Sequence, residues 1–170
     1  MIIDLSSVGL EPKTIKSTFD ADEIDLEGED VELTAPVEVA GEISKHDNKS
    51  TLTGRISTAI TRDCTRCLEP VKGGLFFEFE TSFLDADESD TKTEVEVNPD
   101  ELDVSLVEDG KVSLAEIVRE QILLALPIQM FCSVDCRGLC QKCGANLNLI
   151  DCKCSDDDID PRWAALKNLK

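Results

Sequence analysis

Apolar and polar residues alternate along three stretches of the first half of the chain. In "DVELTAPVEVAGEIS", residues 30–44, the apolar-side set runs Val37, Val39, Gly41 and Ile43. In "STLTGRISTAITRDC", residues 50–64, Leu52, Ile56, Thr58 and Ile60 fall in near alternation. In "GGLFFEFETSFL", residues 73–84, the set is Phe77, Phe79, Thr81 and Phe83. A period of two, carried by β-branched and aromatic residues, predicts antiparallel strands with one buried face. "HDNKS" predicts the turn between the first and second stretch.

The period changes further on. Ser113 is placed to cap a helix, and Glu116 completes an S-x-x-E capping box. Leu114, Ile117, Val118, Ile122, Ala125 and Leu126 follow at helical spacing, and Pro127 ends the run. Before it, "DADESDTKTEVEVNPDELD", residues 85–103, is acidic and poor in apolar residues, which predicts a loop or a weak edge strand. A short C-terminal helix is predicted from Asp160 as cap, Pro161 in the first turn, and Trp163, Leu166 and Leu169 on roughly one face. The expected fold is α+β. An antiparallel sheet, partly barrel-like and packed with one main helix, fills residues 1–130. A small cysteine-rich, zinc-ribbon-like module with the short helix fills 131–170. A chain of 170 residues suits one ordinary domain with such an appendage.

Composition adds compartment and charge. Nothing at the start, "MIIDLSSVGLEPK", reads as a signal peptide, and "ILLALPI" is far too short to span a membrane. The expectation is a cytoplasmic protein without a membrane partner. Acids outnumber bases 36 to 17, for a formal charge of −19. Such a surface is well solvated, repels other anions and suits a basic partner. The charge is uneven, however. Lys45, Lys49, Arg55, Arg62, Arg66 and Lys72 form a basic band between two acidic blocks.

Eight cysteines in a cytosolic protein argue for metal before disulfides. They come in four pairs: Cys64-x2-Cys67, Cys132-x3-Cys136, Cys140-x2-Cys143 and Cys152-x-Cys154. Structural zinc takes four ligands in a tetrahedron, so four pairs make two complete sites. "CQKCGANLNLIDCKC" looks self-contained: Cys140, Cys143 and Gly144 read as a zinc knuckle that Cys152 and Cys154 close. Cys64, Cys67, Cys132 and Cys136 then form a second site, which closes a loop of more than sixty residues. A rival partition joins Cys132 and Cys136 to Cys140 and Cys143 and leaves Cys64 and Cys67 as a free, redox-capable dithiol. Against redox chemistry, strand pattern rather than a helix flanks "CTRC", and Pro70 follows it. Iron–sulfur binding is compatible with the ligand type; the knuckle with paired cysteines favours zinc.

Signs of catalysis are scarce. The single histidine, His46, sits in a turn beside Asp47. There is no phosphate-binding glycine loop and no nucleophile elbow. All-cysteine sites are usually closed and structural. The expectation is a non-enzymatic protein.

Several of these phrases occur together in one family. "DCTRCLEPV", "LAEIVREQILLALPIQMFC", "DCRGLCQKCGANLN", "CKC" and "DPRWAALKNL" resemble the YceD family of bacterial and plastid proteins. The resemblance covers about Val31 to Lys170. It implies a role in accumulation or maturation of 23S ribosomal RNA, and thus in assembly of the large ribosomal subunit. Some members lack the last four cysteines yet keep the upstream pair and ligands after the Leu-Pro, which by analogy supports two separate sites. Two modes of action follow. In one, the chain binds 23S rRNA or a pre-ribosomal particle directly through Arg55, Arg62, Arg66 and Lys72. In the other, the acidic surface escorts a basic large-subunit ribosomal protein. A thiol oxidoreductase using Cys64 and Cys67 is the third class.

Overall fold

A computed structural model describes residues 1–26, 30–47, 49–85, 104–107, 109–154 and 162. Apart from Arg162, the predicted C-terminal helix lies outside the described residues, as do all but the first residue of the acidic 85–103 stretch.

The chain divides into two units, and the first is Met1–Arg62 with Lys72–Ile128. Its main sheet contains β2 (Lys13–Phe19), β3 (Val31–Leu33), β4 (Val37–His46), β5 (Lys49–Asp63), β6 (Pro70–Asp85) and β7 (Val104–Val107). β1 (Ile2–Asp4) pairs with β8 (Lys111–Ser113) in a separate two-stranded sheet. The helix α1 (Leu114–Ala125) follows at once, and its first amide, that of Leu114, donates to the Met1 carbonyl. The Ser113 hydroxyl accepts from the Glu116 amide, as the capping box predicts.

The strand order is β2-β4-β5-β6-β7, with β3 on β5 beside this path. β5 is long enough to serve two partners along one edge. β4 covers Lys49 to Ser57, and β3 covers Ile60 to Arg62. Pro36 separates the two partners because it has no N–H to give to the ladder. Thr34 N–H donates instead to Ala59 O, and the Thr58 hydroxyl donates to Ala35 O. Asp47, at φ 56°, makes the tight turn between β4 and β5.

Two expectations are corrected. The sheet is open, with no closed barrel among the described residues: its ordered path runs from β2 to β7 without returning on itself. It is also mixed, since β6 and β7 pair in parallel, Ser82 opposite Val104. A parallel pair needs a connection of a dozen residues or more, and residues 86–103 are long enough to be one.

The alternation decides the core. Val37, Val39 and Ile43 of β4 are buried, as are Leu52, Ile56, Thr58 and Ile60 of β5 and Phe79 and Phe83 of β6. Leu114, Ile117, Val118 and Ile122 bury one stripe of α1. Each such side chain contributes on the order of 2 kcal/mol through burial. Gly41 and Gly54 face each other across β4 and β5. A Cβ on Gly41 would stand 2.3 Å from Thr53 O, so the close approach of the two strands requires glycine.

The second unit is Asp63–Val71 with Gln129–Lys170, and so takes a piece of chain from the middle of the sequence. Among its described residues the core is slight: Cys64, Cys67 and Cys136 are buried, with Val71 and Leu139 packed against them. Thiols stand where a larger unit would place aliphatic side chains.

Candidate metal centres

In the second unit, the chain leaves β5 at Asp63, turns through Cys64–Leu68 and enters β6 at Pro70. The turn is closed by two backbone bonds. Leu68 N–H donates to Cys64 O at 2.9 Å, and Cys64 N–H donates to Glu69 O at 2.8 Å. The same pair recurs later: Gly144 N–H donates to Cys140 O at 2.8 Å, and Cys140 N–H to Ala145 O at 2.8 Å. Both C-x2-C pairs therefore sit on the same knuckle. Each knuckle needs a left-handed residue after its second cysteine. Gly144 supplies it at φ 70°, while Leu68 adopts it at φ 60° despite its side chain.

Each knuckle receives one further pair of cysteines. The sulfurs of Cys64, Cys67, Cys132 and Cys136 all lie within 4.8 Å of one another, and so do those of Cys140, Cys143, Cys152 and Cys154. All eight thiols are free. The rival grouping of Cys132 and Cys136 with Cys140 and Cys143 is not the one formed. In the first group, Cys64 Sγ is 3.8 Å from Cys136 Sγ, and Cys67 Sγ is 3.6 Å from Cys132 Sγ. A zinc–sulfur bond of about 2.3 Å places the corners of a tetrahedron about 3.8 Å apart. A disulfide needs about 2.05 Å. The spacing thus fits a thiolate-bound metal and not a disulfide.

Electrostatics favour the same chemistry. Burial opposes ionisation of Cys64, but N–H groups of Cys132, Cys67 and Arg66 aimed at its sulfur prevail and hold it at about 6. The Glu69 N–H favours a thiolate at Cys67. Burial and bonds to the neighbouring thiols win there, and Cys67 is pushed up to about 12. Cys136 is lowered: burial works against its thiolate, but the Asn148 amide and the Gly138 N–H outweigh it. In the other group, the N–H groups of Cys143 and Lys142 bring Cys140 to about 6. Bonds to Cys143 and Cys140 push Cys154 up to about 12. Thiols this close ionise in turn, each thiolate holding its neighbours protonated. A divalent cation removes that conflict and lets all four ionise.

The knuckles are joined by polar contacts that the cysteine pattern does not reveal. Arg66 donates to the carbonyls of Val134 and Cys136 at 3.2 and 3.1 Å, and its guanidinium lies 4.2 Å from the Phe131 ring centre. Asn148 donates to Cys136 Sγ and accepts from the Arg137 amide. Gly138, at φ 73°, lets the chain pass Arg66 O, where a Cβ would come within 3.0 Å. The glycine in "CRGLC" is the one sequence signal that pointed there.

The four basic residues proposed for RNA contact differ in what each side chain holds. Arg66 is committed to the first knuckle, as above. Arg62, in the first unit, is half-buried and donates to Pro127 O at 2.9 Å. Arg55 on β5 and Lys72 on β6 are exposed. His46, at the end of β4, is exposed as well. Among the described residues, no helix is long and apolar enough to cross a membrane.

A family model described as "Large ribosomal RNA subunit accumulation protein YceD" matches residues 52–170, which include all eight cysteines. The chain belongs to the YceD family. Family relatives include a "Large ribosomal RNA subunit accumulation protein YCED homolog 1, chloroplastic" of Arabidopsis thaliana. It is 28% identical over 79% of this chain and 49% of its own length. This chain thus spans about half of that relative. The "Uncharacterized protein ML1660" of Mycobacterium leprae is 27% identical over 99% of this chain and 77% of its own. The "Uncharacterized protein YlbN" of Bacillus subtilis is 28% identical over 89% and 84%. No solved structure matches the chain.

Proposed function

We propose that the chain is a non-enzymatic, cytoplasmic factor in the accumulation of 23S ribosomal RNA and the assembly of the large ribosomal subunit. The family match over residues 52–170 carries this reading. Removing the gene is expected to lower 23S relative to 16S RNA and to leave large subunits short of mature particles on sucrose gradients. An unchanged RNA ratio and gradient would refute it.

Zinc is the metal we assign to both cysteine tetrads. Among its described residues the second unit buries little besides cysteine, so metal ligation would supply the cross-links that a hydrophobic core otherwise provides. Elemental analysis is expected to read about two zinc ions per chain. Iron with visible absorption would overturn the assignment. The same residues argue against a thiol oxidoreductase: with Cys64 and Cys67 both ligating, the purified protein is expected to reduce no insulin disulfides, and turnover in that assay would overturn this reading.

A second reading has its own support. The charge of −19, with Arg62 and Arg66 tied to backbone carbonyls, favours an acidic escort for a basic ribosomal protein. Co-purification of a basic large-subunit protein, with no rRNA fragment bound, would select the escort over direct RNA binding.

A further inference from the structure

The outer face of the main sheet brings Arg55 together with residues of other strands that the sequence pattern did not connect to it. Residues directly opposite on neighbouring strands share a face. Lys16 of β2 stands opposite Ala40 of β4, and Ala40 stands opposite Arg55 of β5. The methyl of Ala40 is too short to fill the space between the two long cations. One row along, Thr18 stands opposite Glu38, and Glu38 opposite Ser57. The result is a groove of about 460 Å³, and Phe76 of β6 completes its lining.

Three properties set this groove apart. Phe76 is 67% exposed although it lies in a strand whose Phe79 and Phe83 are buried. The alternation of β6 therefore turns an aromatic ring to solvent. Among the described residues, neither the Lys16 nor the Arg55 side chain forms an ion pair or hydrogen bond, so both cationic heads are available. And in a chain of charge −19, the lining of this groove has two cations against one carboxylate, that of Glu38, while Arg55 also borders an adjoining groove that holds Glu42 and Glu78. A lone surface phenylalanine is ordinary. A ring beside two uncommitted cations and an uncommitted carboxylate is a constellation with a chemical match.

An unpaired nucleotide offers a flat base, an amine on the base edge and a phosphate. Sheets that read single-stranded RNA stack bases on exposed strand aromatics and hold the backbone with Lys and Arg. We propose that this face binds an unpaired RNA nucleotide, its base stacked on Phe76, its phosphate held by Lys16 and Arg55, and its base amine donating to Glu38. The site rests on the ribosomal-RNA reading above and moves direct contact away from Arg62 and Arg66. It selects single strands, because a base inside a duplex has no free face for the ring.

Fluorescence anisotropy tests it, using a labelled mixed-sequence single-stranded RNA of about ten nucleotides and its duplex. The single strand is expected to bind and the duplex to bind far more weakly. Phe76→Ala is expected to weaken binding about tenfold, and Phe76→Trp to retain it. Lys16→Gln with Arg55→Gln is expected to reduce the slope of log affinity against log salt by about 0.7, for the one phosphate that both cations hold. All three variants change exposed side chains, and unchanged thermal melting verifies that they fold. If the strand binds but none of these variants alters its affinity or salt slope, the face is wrong while an RNA role stands. If no single strand binds, both direct RNA binding and the site fall. Binding of a Lys-rich peptide, weakened by Glu38→Gln and without RNA binding, would give the face to a basic protein and overturn the proposal.

Discussion

At one cysteine centre, Cys64, Cys67 and Cys136 are buried, and the ligand pairs come from segments sixty-five residues or more apart in sequence. At the other, Cys143 and Cys154 are exposed, and all four cysteines lie within residues 140–154. The knuckle is the same in both. The first centre closes a long loop and holds the buried cysteines of its unit, so a metal bound there would substitute for hydrophobic burial. The second orders a short loop that is largely in contact with solvent. One backbone device thus serves a structural staple and an accessible clip.

The largest expected contrast is in ligand removal. Cys67→Ser is expected to unfold the second unit and to empty both centres, from about two zinc ions per chain to none. Cys152→Ser is expected to cost only the second ion and to leave the amides of Thr65 and Leu139 protected from hydrogen exchange. Equal zinc loss in the two variants would erase the distinction. A smaller effect of the same kind is kinetic. A chelator is expected to take zinc in two phases, with the fast phase absent from Cys152→Ser; a single phase in the wild type would show equivalent centres.

Proton release probes what the centres share. At pH 7, Cys64 and Cys140, held at about 6, are already mostly thiolate. Cys67 and Cys154, at about 12, are protonated, and Cys132 and Cys152 are raised as well. Loading the metal-free protein at pH 7 is therefore expected to release at least two protons per centre, read by calorimetry in buffers of different ionisation enthalpy. The sign for stability follows. The lowered thiols stabilise the metal-free fold above their ordinary pKa of 9.0, and that contribution is lost as pH falls through about 6. The raised thiols act oppositely: theirs is full below 9.0 and is lost as pH rises through about 12.

Two pairs of substitutions give smaller differences. Arg66→Ala removes bonds to two carbonyls at the buried centre and is expected to cost about 2 kcal/mol in denaturant unfolding. Arg137→Ala breaks an exposed pair with Asp151 and is expected to cost about 0.5 kcal/mol. Gly144→Ala forces a Cβ into the left-handed position and is expected to destabilise its knuckle by about 1 kcal/mol. Leu68→Gly relieves the same strain at an exposed side chain and is expected to change stability by about 0.5 kcal/mol or less. Relief in the folded state is offset by greater freedom in the unfolded one.

The legible features share a local cause. Alternation marked β4, β5 and β6, because a strand with one buried face must alternate. The capping box and Pro127 marked the ends of α1, because they act on its own backbone groups. The pairing of β1 with β8 joins residues more than a hundred positions apart and left no local trace. Pro36 divides the first alternating stretch into β3 and β4, a break that alternation alone does not mark. Ile15 and Phe19 of β2 lie on the buried face of a short strand rich in threonine and lysine, which is a weaker signal.

The candidate centres divide in the same way. Eight cysteines in four short pairs determined by themselves that metal chemistry was in question, because two thiolates a few residues apart turn readily toward one ion. Charge counting likewise marked the basic band, but not what its members hold. Only the tertiary structure decided that Arg62 and Arg66 are occupied by carbonyls while Arg55 stands free beside Lys16 and Phe76. It alone showed that Leu68 takes a glycine's conformation and that Asn148 reaches Cys136. Each of these depends on which distant backbone atom a side chain meets. Spacing along a chain constrains neighbours, whereas a long polar side chain finds its partner only after the fold has brought the partner within reach.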